Sequence, residues 1–484
     1  MTAEKAINDW TRHADAAQFS LTDTGNARRL VHYTGDIIRY VPEWATWLVW
    51  DGVRWSPDGL GVVVEFMKVI ATQNMIEEAQ TVTNEDRRQH LLKWAMASES
   101  VSRIKAAIEL AKTDVDVAVS AETLDTEKWL LTCLNGTLDL KTGELRPARQ
   151  DDLITKLVPF EYDPAAKCPQ FEKFLDWALC GRAGLVDFVQ RALGYSMTGD
   201  VSERKMFFLH GQGQNGKSTL LKTFRRILGD YATKADAATF MLDPKNSGDA
   251  ATPSLARLKG ARMINSAEME DGMAMAESLV KDWIGDDSVT ARHLYERKVE
   301  FWPEFKFWIS SNYLPTVSAV DQAVWDRLRL IPFDARISEE DKDLELYDKL
   351  LEEAPGILAW AVRGLIAWHA RHLNVDVPVE VLAAGAQYRE DMDFFKHFLE
   401  DLPAGQDWGL QDMQEAYTEW SKTNRAKRLN AIQFKTYMTQ HGYTVKTVKG
   451  ARSWRKETDA RPGSNVAQMV RAAKVPRSRA AAGA

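Results

Sequence analysis

Cysteine is scarce in this chain. Only Cys133, Cys168 and Cys180 occur in 484 residues, with no C-x-x-C pair. That argues against a disulfide scaffold and a zinc finger, and it suits a reducing cytosol. No apolar run is long enough to span a bilayer and no signal-peptide pattern is found, so a cytoplasmic protein without membrane contact is expected. Excess basic charge is missing too. Sixty-two Lys and Arg stand against 69 Asp and Glu, a formal net charge of −7, so any nucleic-acid contact must come from a local basic feature. What is present is ordinary for a globular protein, 45% hydrophobic and 27% charged. The length allows about three domains. The 17 tryptophans mostly have apolar neighbours and read as core.

The rest of the chain is organised around Met206–Leu221. Met206 to Leu209 is a short apolar run with the look of a buried parallel strand. Gly211, Gln212, Gly213, Gln214, Asn215, Gly216, Lys217 and Ser218 follow as a complete G-x-x-x-x-G-K-S phosphate-binding loop, continued by Thr219. Glycines and small polar residues let backbone amides wrap phosphates. Lys217 would reach the β- and γ-phosphates of ATP, and the Ser218 hydroxyl would hold Mg²⁺. Thr219 to Leu228 has helical periodicity, so a helix N-terminus would face the anion. A nucleoside triphosphate site is therefore expected.

Upstream, a capped helix is expected from near Asp23, then two strands at 35–41 and 47–55 with a turn at Asp51-Gly52. Residues 60–112 read as helical, 130–140 as a β-ribbon turning at Asn135-Gly136, and 168–195 as helix. Thr113-Asp114-Val115-Asp116-Val117 holds a D-x-D, which on a strand could carry two metals for nucleotidyl transfer. No Ser stands two residues before any of the nine histidines, as a primase of the archaeal–eukaryotic type would want, and a solvated turn is the favoured reading.

Downstream, Arg262 to Glu268 reads as a second strand ending in an acid. An ATPase places its Mg²⁺-binding, water-directing carboxylate at such a position, here Glu268 with Glu270 as second choice. An acid after an apolar run is otherwise commonly a helix cap. Phe305 to Asn312 reads as a third strand whose terminal amide could position the attacking water. Between them, Arg292, His293, Arg297 and Lys298 with Tyr295 form an extended, hairpin-like stretch suited to single-stranded nucleic acid. It reads equally well as a solvated surface hairpin. In 325–333, Arg327 and Arg329 alternate with apolar residues and would face one side of a strand, where guanidinium suits a γ-phosphate in transit. A surface salt-bridging strand is the alternative. Helices are expected over 338–373 and to near Leu399, with a linker at 401–405. Residues 411–454 read as two helices and a two-stranded wing, with Lys422, Arg425, Lys427, Arg428 and Lys435 on the helical part. The tail from Arg461 has five Lys/Arg and no acid after Asp459, and reads as disordered.

The ordered motifs GQGQNGKST, INSAEMED, VKDWIGDDSVTARHLYE, FKFWISSNYLP and WDRLRLIPF resemble superfamily III helicases, more narrowly phage and plasmid primase–helicases and more distantly the poxvirus helicase–primase. The resemblance runs from about Leu21 to Trp454. It implies an α/β fold: an AAA+-like P-loop core over 201–336, preceded by a mainly helical domain over 21–200 with β-hairpins. A helical part over 337–400 and a winged-helix-like DNA-binding module over 401–456 would follow, between a flexible start (1–20) and a basic tail (457–484). It further implies a homo-oligomeric ring, usually hexameric, translocating 3′-to-5′ on single-stranded and forked DNA. By position, Lys217 and Ser218 would hold phosphate and Mg²⁺, Glu268 would be the Walker B acid and Asn312 the sensor. Arg327 would be the arginine finger, Arg329 its neighbour, and Lys281 part of the intervening motif. Relatives often read Arg-Arg where Asp326-Arg327 stands here. The helicase part is expected, with any priming left to another chain. An ATP-switched origin-binding or remodelling factor is the nearest rival reading.

Overall fold

Thr22 caps the first helix. Its hydroxyl accepts the Gly25 amide at 3.1 Å, one of the donors that a helix start leaves open. The computed structural model describes residues 19–236, 241, 258–267, 269, 272–285, 289–292, 298–317, 321–403, 408–424, 426, 428–448 and 451–456. The basic tail and most of the expected flexible start lie outside the described residues. The chain forms two units, residues up to Tyr388 and residues from Arg389.

In the first unit, α1 (Asp23–Thr34) leads to the antiparallel strands β1 (Ile38–Val41), β2 (Thr46–Trp50) and β3 (Trp55–Pro57). The expected turn at Asp51-Gly52 is closed by Asp51 Oδ1, which accepts the amides of Val53 and Arg54 at 3.0 and 2.9 Å. The expected helical stretch follows as α2 (Val62–Val69), α3 (Met75–Thr81), α4 (Glu85–Ser98) and α5 (Val101–Ala111), with a π-turn at Ile70–Asn74. Leu30, Phe66, Met67, Ile70, Met75 and Ile104 meet in its core. Arg29 is fully buried there, and such a charge must be paired. Its Nε donates to Glu78 Oε2 at 2.9 Å, and Tyr33 donates to Glu78 Oε1 at 3.1 Å. The D-x-D is a turn: Asp114 Oδ1 accepts the Asp116 amide at 3.1 Å.

The second ribbon consists of β4 (Leu130–Cys133), β5 (Gly136–Asp139) and β6 (Glu144–Arg146). The expected helix over 168–195 is two helices, α6 (Pro169–Ala178) and α7 (Ala183–Ser196). Cys180 at φ +59° and Gly181 at φ +69° break it, because left-handed backbone cannot continue a right-handed helix.

The central sheet contains β7 (Met206–His210), β8 (Ala232–Lys234), β9 (Met263–Ala267), β12 (Lys306–Ser311) and β13 (Leu328–Pro332). Its spatial order is β13-β7-β12-β9-β8 and every pairing is parallel. Between these strands come α8 (Lys217–Leu228), α9 (Glu277–Ile284), the antiparallel pair β10 (Val289–Arg292) and β11 (Lys298–Phe301), and α10 (Gln322–Arg327). Met206 to Leu209 is buried throughout, as a parallel strand covered on both faces must be. α8 buries Leu220, Leu221, Phe224, Ile227 and Leu228 at helical spacing. Burying Phe224 alone contributes roughly 1.5–3 kcal/mol. Gly229 ends this helix at φ +54°, where a Cβ would stand 2.4 Å from the Leu157 carbonyl oxygen. The chain leaves β7 for the far edge, returns through β9 and β12, then crosses β7 to reach β13. That reversal opens a crevice at the carboxyl ends of β7 and β12, where α/β sheets bind ligands.

Helices α11 (Leu346–Glu352), α12 (Ala354–Arg371) and α13 (Val379–Asp391) complete this part, so the helical stretch expected from 338 begins only at Leu346. α12 lies hard against α7. A Cβ on Gly364 would meet the Gln190 carbonyl oxygen at 2.2 Å, and one on Gly194 would meet the Leu365 nitrogen at 2.2 Å.

The second unit has α14 (Phe394–Glu400), β14 (Trp408–Gly409), α15 (Leu410–Thr423), α16 (Ala431–Gln440), β15 (Tyr443–Val448) and β16 (Ala451–Lys456), with strand order β14-β16-β15. Phe395, Phe398, Tyr417, Phe434 and Trp454 form its core. Asn430 and Gln433 cap α16 reciprocally, at 2.9 and 3.1 Å.

Candidate functional site

The loop between β7 and α8 stands on glycine. Gly213 and Gly216 have φ of +92° and +85°, a region open mainly to glycine. A Cβ on Gly216 would meet Phe174 Cε2 at 2.8 Å, and one on Gly211 would meet the Phe333 carbonyl oxygen at 2.2 Å. That carbonyl also accepts Asn215 Nδ2 at 3.0 Å. The residue leaving β13 therefore holds the loop from one side. Gln214, also left-handed at φ +50°, accepts the Ile337 amide on its carbonyl at 3.0 Å and bonds to Glu339 through its side chain. No side chain caps the start of α8, so the first-turn amides of this helix face outward with the positive end of its dipole.

Lys217 opens α8 and is buried. Its Nζ donates to the Gly211 carbonyl at 2.6 Å and to Asn312 Oδ1 at 3.0 Å. Asn312 directly follows β12, the strand beside β7, and the pairing of Ser311 with His210 sets the two carboxyl ends level. Burial pushes the Lys217 ammonium down to about 8. His210, at the end of β7, is lowered by burial and then by Lys217. Among the described residues the Lys217 ammonium thus meets only neutral oxygens beside glycine-lined backbone, an arrangement that fits a phosphate group. Ser218 is exposed one residue further on, so its hydroxyl fits a ligand to a phosphate-bound cation.

Arg327 and Arg329 stand at the other end of the sheet. Leu328 pairs with Met206, the first residue of β7, whereas the loop follows its last. At the usual rise of a parallel strand this separates Arg327 from the loop by roughly 13 Å. The expectation that both arginines share a strand needs correction. Arg327 ends helix α10, where its Nη1 caps the Ala323 carbonyl at 2.7 Å, and only Arg329 lies in β13. Asp321 caps α10 by accepting the Val324 amide, a start signal that lies upstream of the alternating pattern of 327–333. Arg329 donates to Asn374 Oδ1 at 2.8 Å. Lys205 joins them: its Nζ donates to the Asp326 carbonyl at 2.9 Å, and burial, then Arg329, push it down to about 8. Sequence reasoning missed Lys205, because nothing in Ser202–Lys205 marks it before the sheet brings β13 alongside. Lys281, on α9, forms an ion pair with Asp321 and so pins the helix that carries Arg327.

Glu268, Glu270, His293 and Arg297 lie outside the described residues. Arg292 and Lys298 are backbone register partners in the β10–β11 pair.

Residues 27–180 match the family described as "D5 N terminal like", and residues 209–327 match a family of unknown function, DUF5906. A protein of Acanthamoeba polyphaga mimivirus, named as a proposed helicase, is 27% identical over 344 residues, covering 66% of this chain and 35% of its own length. A similarly named protein of Frog virus 3 is 26% identical, covering 49% of this chain and 26% of its own length. These matches support a protein of the phage and viral primase–helicase type. Members named as proposed primases, from African swine fever virus, match as well, at 22% identity over 71% of this chain. The apo structure of the NrS-1 C-terminal region superposes with a TM-score of 0.47 at 12% identity, covering 91% of this chain and 99% of that one. The chain spans between 26% and 39% of the length of the viral relatives given above. The glycine-rich loop, Lys217, Asn312 and Arg327 all fall inside the 209–327 match.

Proposed function

We propose that this chain is the ATP-driven motor of a replication protein that separates DNA strands. One observation carries the reading: Lys217, at the head of α8, is buried beside the glycine-rich loop and, among the described residues, donates to neutral oxygens, one of them on Asn312 just past the end of the adjacent strand. A phosphate chain would draw the ammonium off these oxygens, and the loop and helix amides would take the remaining phosphate oxygens. Ser218 would hold a Mg²⁺, which would supply charge that offsets that of the phosphates. Glu268 then directs the attacking water and Asn312 senses the γ-phosphate. On this reading the sheet is an AAA+-like P-loop core and the second unit a winged-helix-like DNA-binding module.

The distance between Arg327 and the loop supports a ring. A guanidinium roughly 13 Å from its own subunit's loop is badly placed to act there, but it can face the nucleotide of a neighbouring copy. The β10–β11 pair, with Arg292 and Lys298, would meet single-stranded DNA in the ring. The test is strand displacement on a forked duplex with ATP, set beside ATP hydrolysis. Displacement that stops with Lys217→Ala supports the motor. Hydrolysis with origin or duplex remodelling but no displacement would support the rival, an ATP-switched initiator, which the basic second unit favours.

A further inference from the structure

Three cations crowd the edge of the sheet where β7 and β13 begin. Besides its burial, Lys205 feels the charge of both Arg329 and Arg327, so the three repel one another. Their arrangement must be set by the groups around them. Both arginines leave a buried Nε without a partner, but their outer nitrogens differ. Arg327 bonds only the Ala323 carbonyl of its own helix among the described residues. Arg329 is held more firmly. Its Nη1 donates to the carbonyls of Asp326 and Leu328 at 3.2 and 2.9 Å, and its Nη2 to Asn374 Oδ1 at 2.8 Å. The first two acceptors are its near neighbours in the chain, whereas Asn374 reaches it from the turn that follows α12.

Behind Asn374 stands Glu203, only 6% exposed. Its Oε1 accepts Trp368 Nε1 at 2.8 Å and the Leu373 amide at 2.9 Å, with His372 Nδ1 3.3 Å away. Its Oε2 accepts Asn374 Nδ2 at 3.2 Å. A carboxylate is costly to bury unless donors surround it, and here α12 and its turn supply them. The same contacts decide which way the Asn374 amide points. A carboxylate accepts hydrogen bonds, so it takes the NH₂ side of the amide and turns the oxygen to Arg329. Rotated the other way, the amide would set its N–H groups against a guanidinium that can only donate.

We propose that Glu203 and Asn374 are positioning residues for the arginine edge: Glu203 orients the Asn374 amide, Asn374 fixes Arg329, and the fixed charge of Arg329 turns Arg327 towards the nucleotide of a neighbouring copy. The proposal rests on the reading of Arg327 as acting on a neighbour's ATP and adds what holds that edge in shape. It also ties the edge to α12, because Trp368 and Leu373 bond the same carboxylate as Asn374.

The test uses the full chain and ATP turnover. Asn374 is exposed, so Asn374→Ala should leave thermal unfolding unchanged. It should also leave KM and the affinity for a non-hydrolysable ATP analogue unchanged, while kcat falls roughly ten- to hundredfold, the scale of a misplaced catalytic group. Arg329→Ala should lose a similar factor. The double variant should lose no more than Arg329→Ala, because both changes act through one guanidinium. Glu203→Gln should lower kcat in the same way, and where it fails to fold Asn374→Ala decides. Mixing Asn374→Ala with Lys217→Ala should restore part of the turnover, since one supplies the nucleotide site and the other the intact edge. An unchanged kcat in Asn374→Ala, or losses that multiply in the double variant, overturns the proposal. If Arg327→Ala gains activity in a mixed assembly and Asn374→Ala does not, the positioning fails alone. If neither gains despite co-assembly, the neighbour reading fails and takes the proposal with it.

Discussion

Lys217 donates to Asn312 across 3.0 Å, joining the helix after β7 to the end of β12. The bond holds the ammonium in a buried place where it is pushed down to about 8. The unfolded amine binds its proton more tightly than the folded one, so burial of this charge costs stability. That cost is fully present below pH 8 and fades as pH rises towards the ordinary lysine range. Lys217→Met should accordingly raise the melting temperature at pH 7 while abolishing nucleotide binding. A nucleotide's phosphates restore the proton affinity, so at pH 8.5 binding should take up roughly half a proton or more. Calorimetry in buffers of different ionisation enthalpy measures this, and zero uptake would show that Lys217 does not meet the phosphates.

ATP hydrolysis should require both Lys217 and Glu268. Lys217→Ala should weaken nucleotide binding. Glu268→Gln should bind ATP and fail to turn it over, because the metal ligand persists while the water is no longer directed. Turnover near the parent rate in Glu268→Gln would transfer the role to Glu270.

Arg327→Ala should bind ATP as the parent does but hydrolyse it about 10³- to 10⁵-fold more slowly, the worth of an arginine finger. Mixing it with Lys217→Ala should restore part of the activity. Some interfaces then pair an intact nucleotide site with an intact arginine. Co-assembly without any gain would assign Arg327 to its own subunit.

Charge reversal at Arg297 and Lys298 should weaken single-strand binding and flatten its salt dependence, since fewer counterions are released. ATPase measured without DNA should be spared. An unchanged salt slope would mark β10–β11 as an ordinary surface ribbon.

Gly364→Ala places a methyl 2.2 Å from the Gln190 carbonyl oxygen, against backbone that cannot rotate aside. The helices α7 and α12 must then separate, at about 1–3 kcal/mol, which denaturant unfolding of the full chain measures. A neutral change would mean that this helix pair is looser than the packing indicates.

What the sequence determined by itself is whatever lies within a few consecutive residues. Gly211 to Ser218 contains its own instructions: glycines where φ turns positive, then Lys and Ser at the head of a helix with 3–4 apolar spacing. The strand character of Met206–Leu209 was readable for the same reason, since a continuous apolar run buries both faces. The break at Cys180-Gly181 was not, because apolar spacing runs through it and only the backbone reverses. Tertiary structure alone decided how distant segments pair. Parallel register sets Leu328 against Met206, and that register moves Arg327 to the edge away from Lys217 and draws Lys205 beside it. The Lys281–Asp321 pair and the Gly194–Gly364 approach likewise join residues far apart in the chain. Their contacts depend on how helices and strands stack, which no local periodicity encodes.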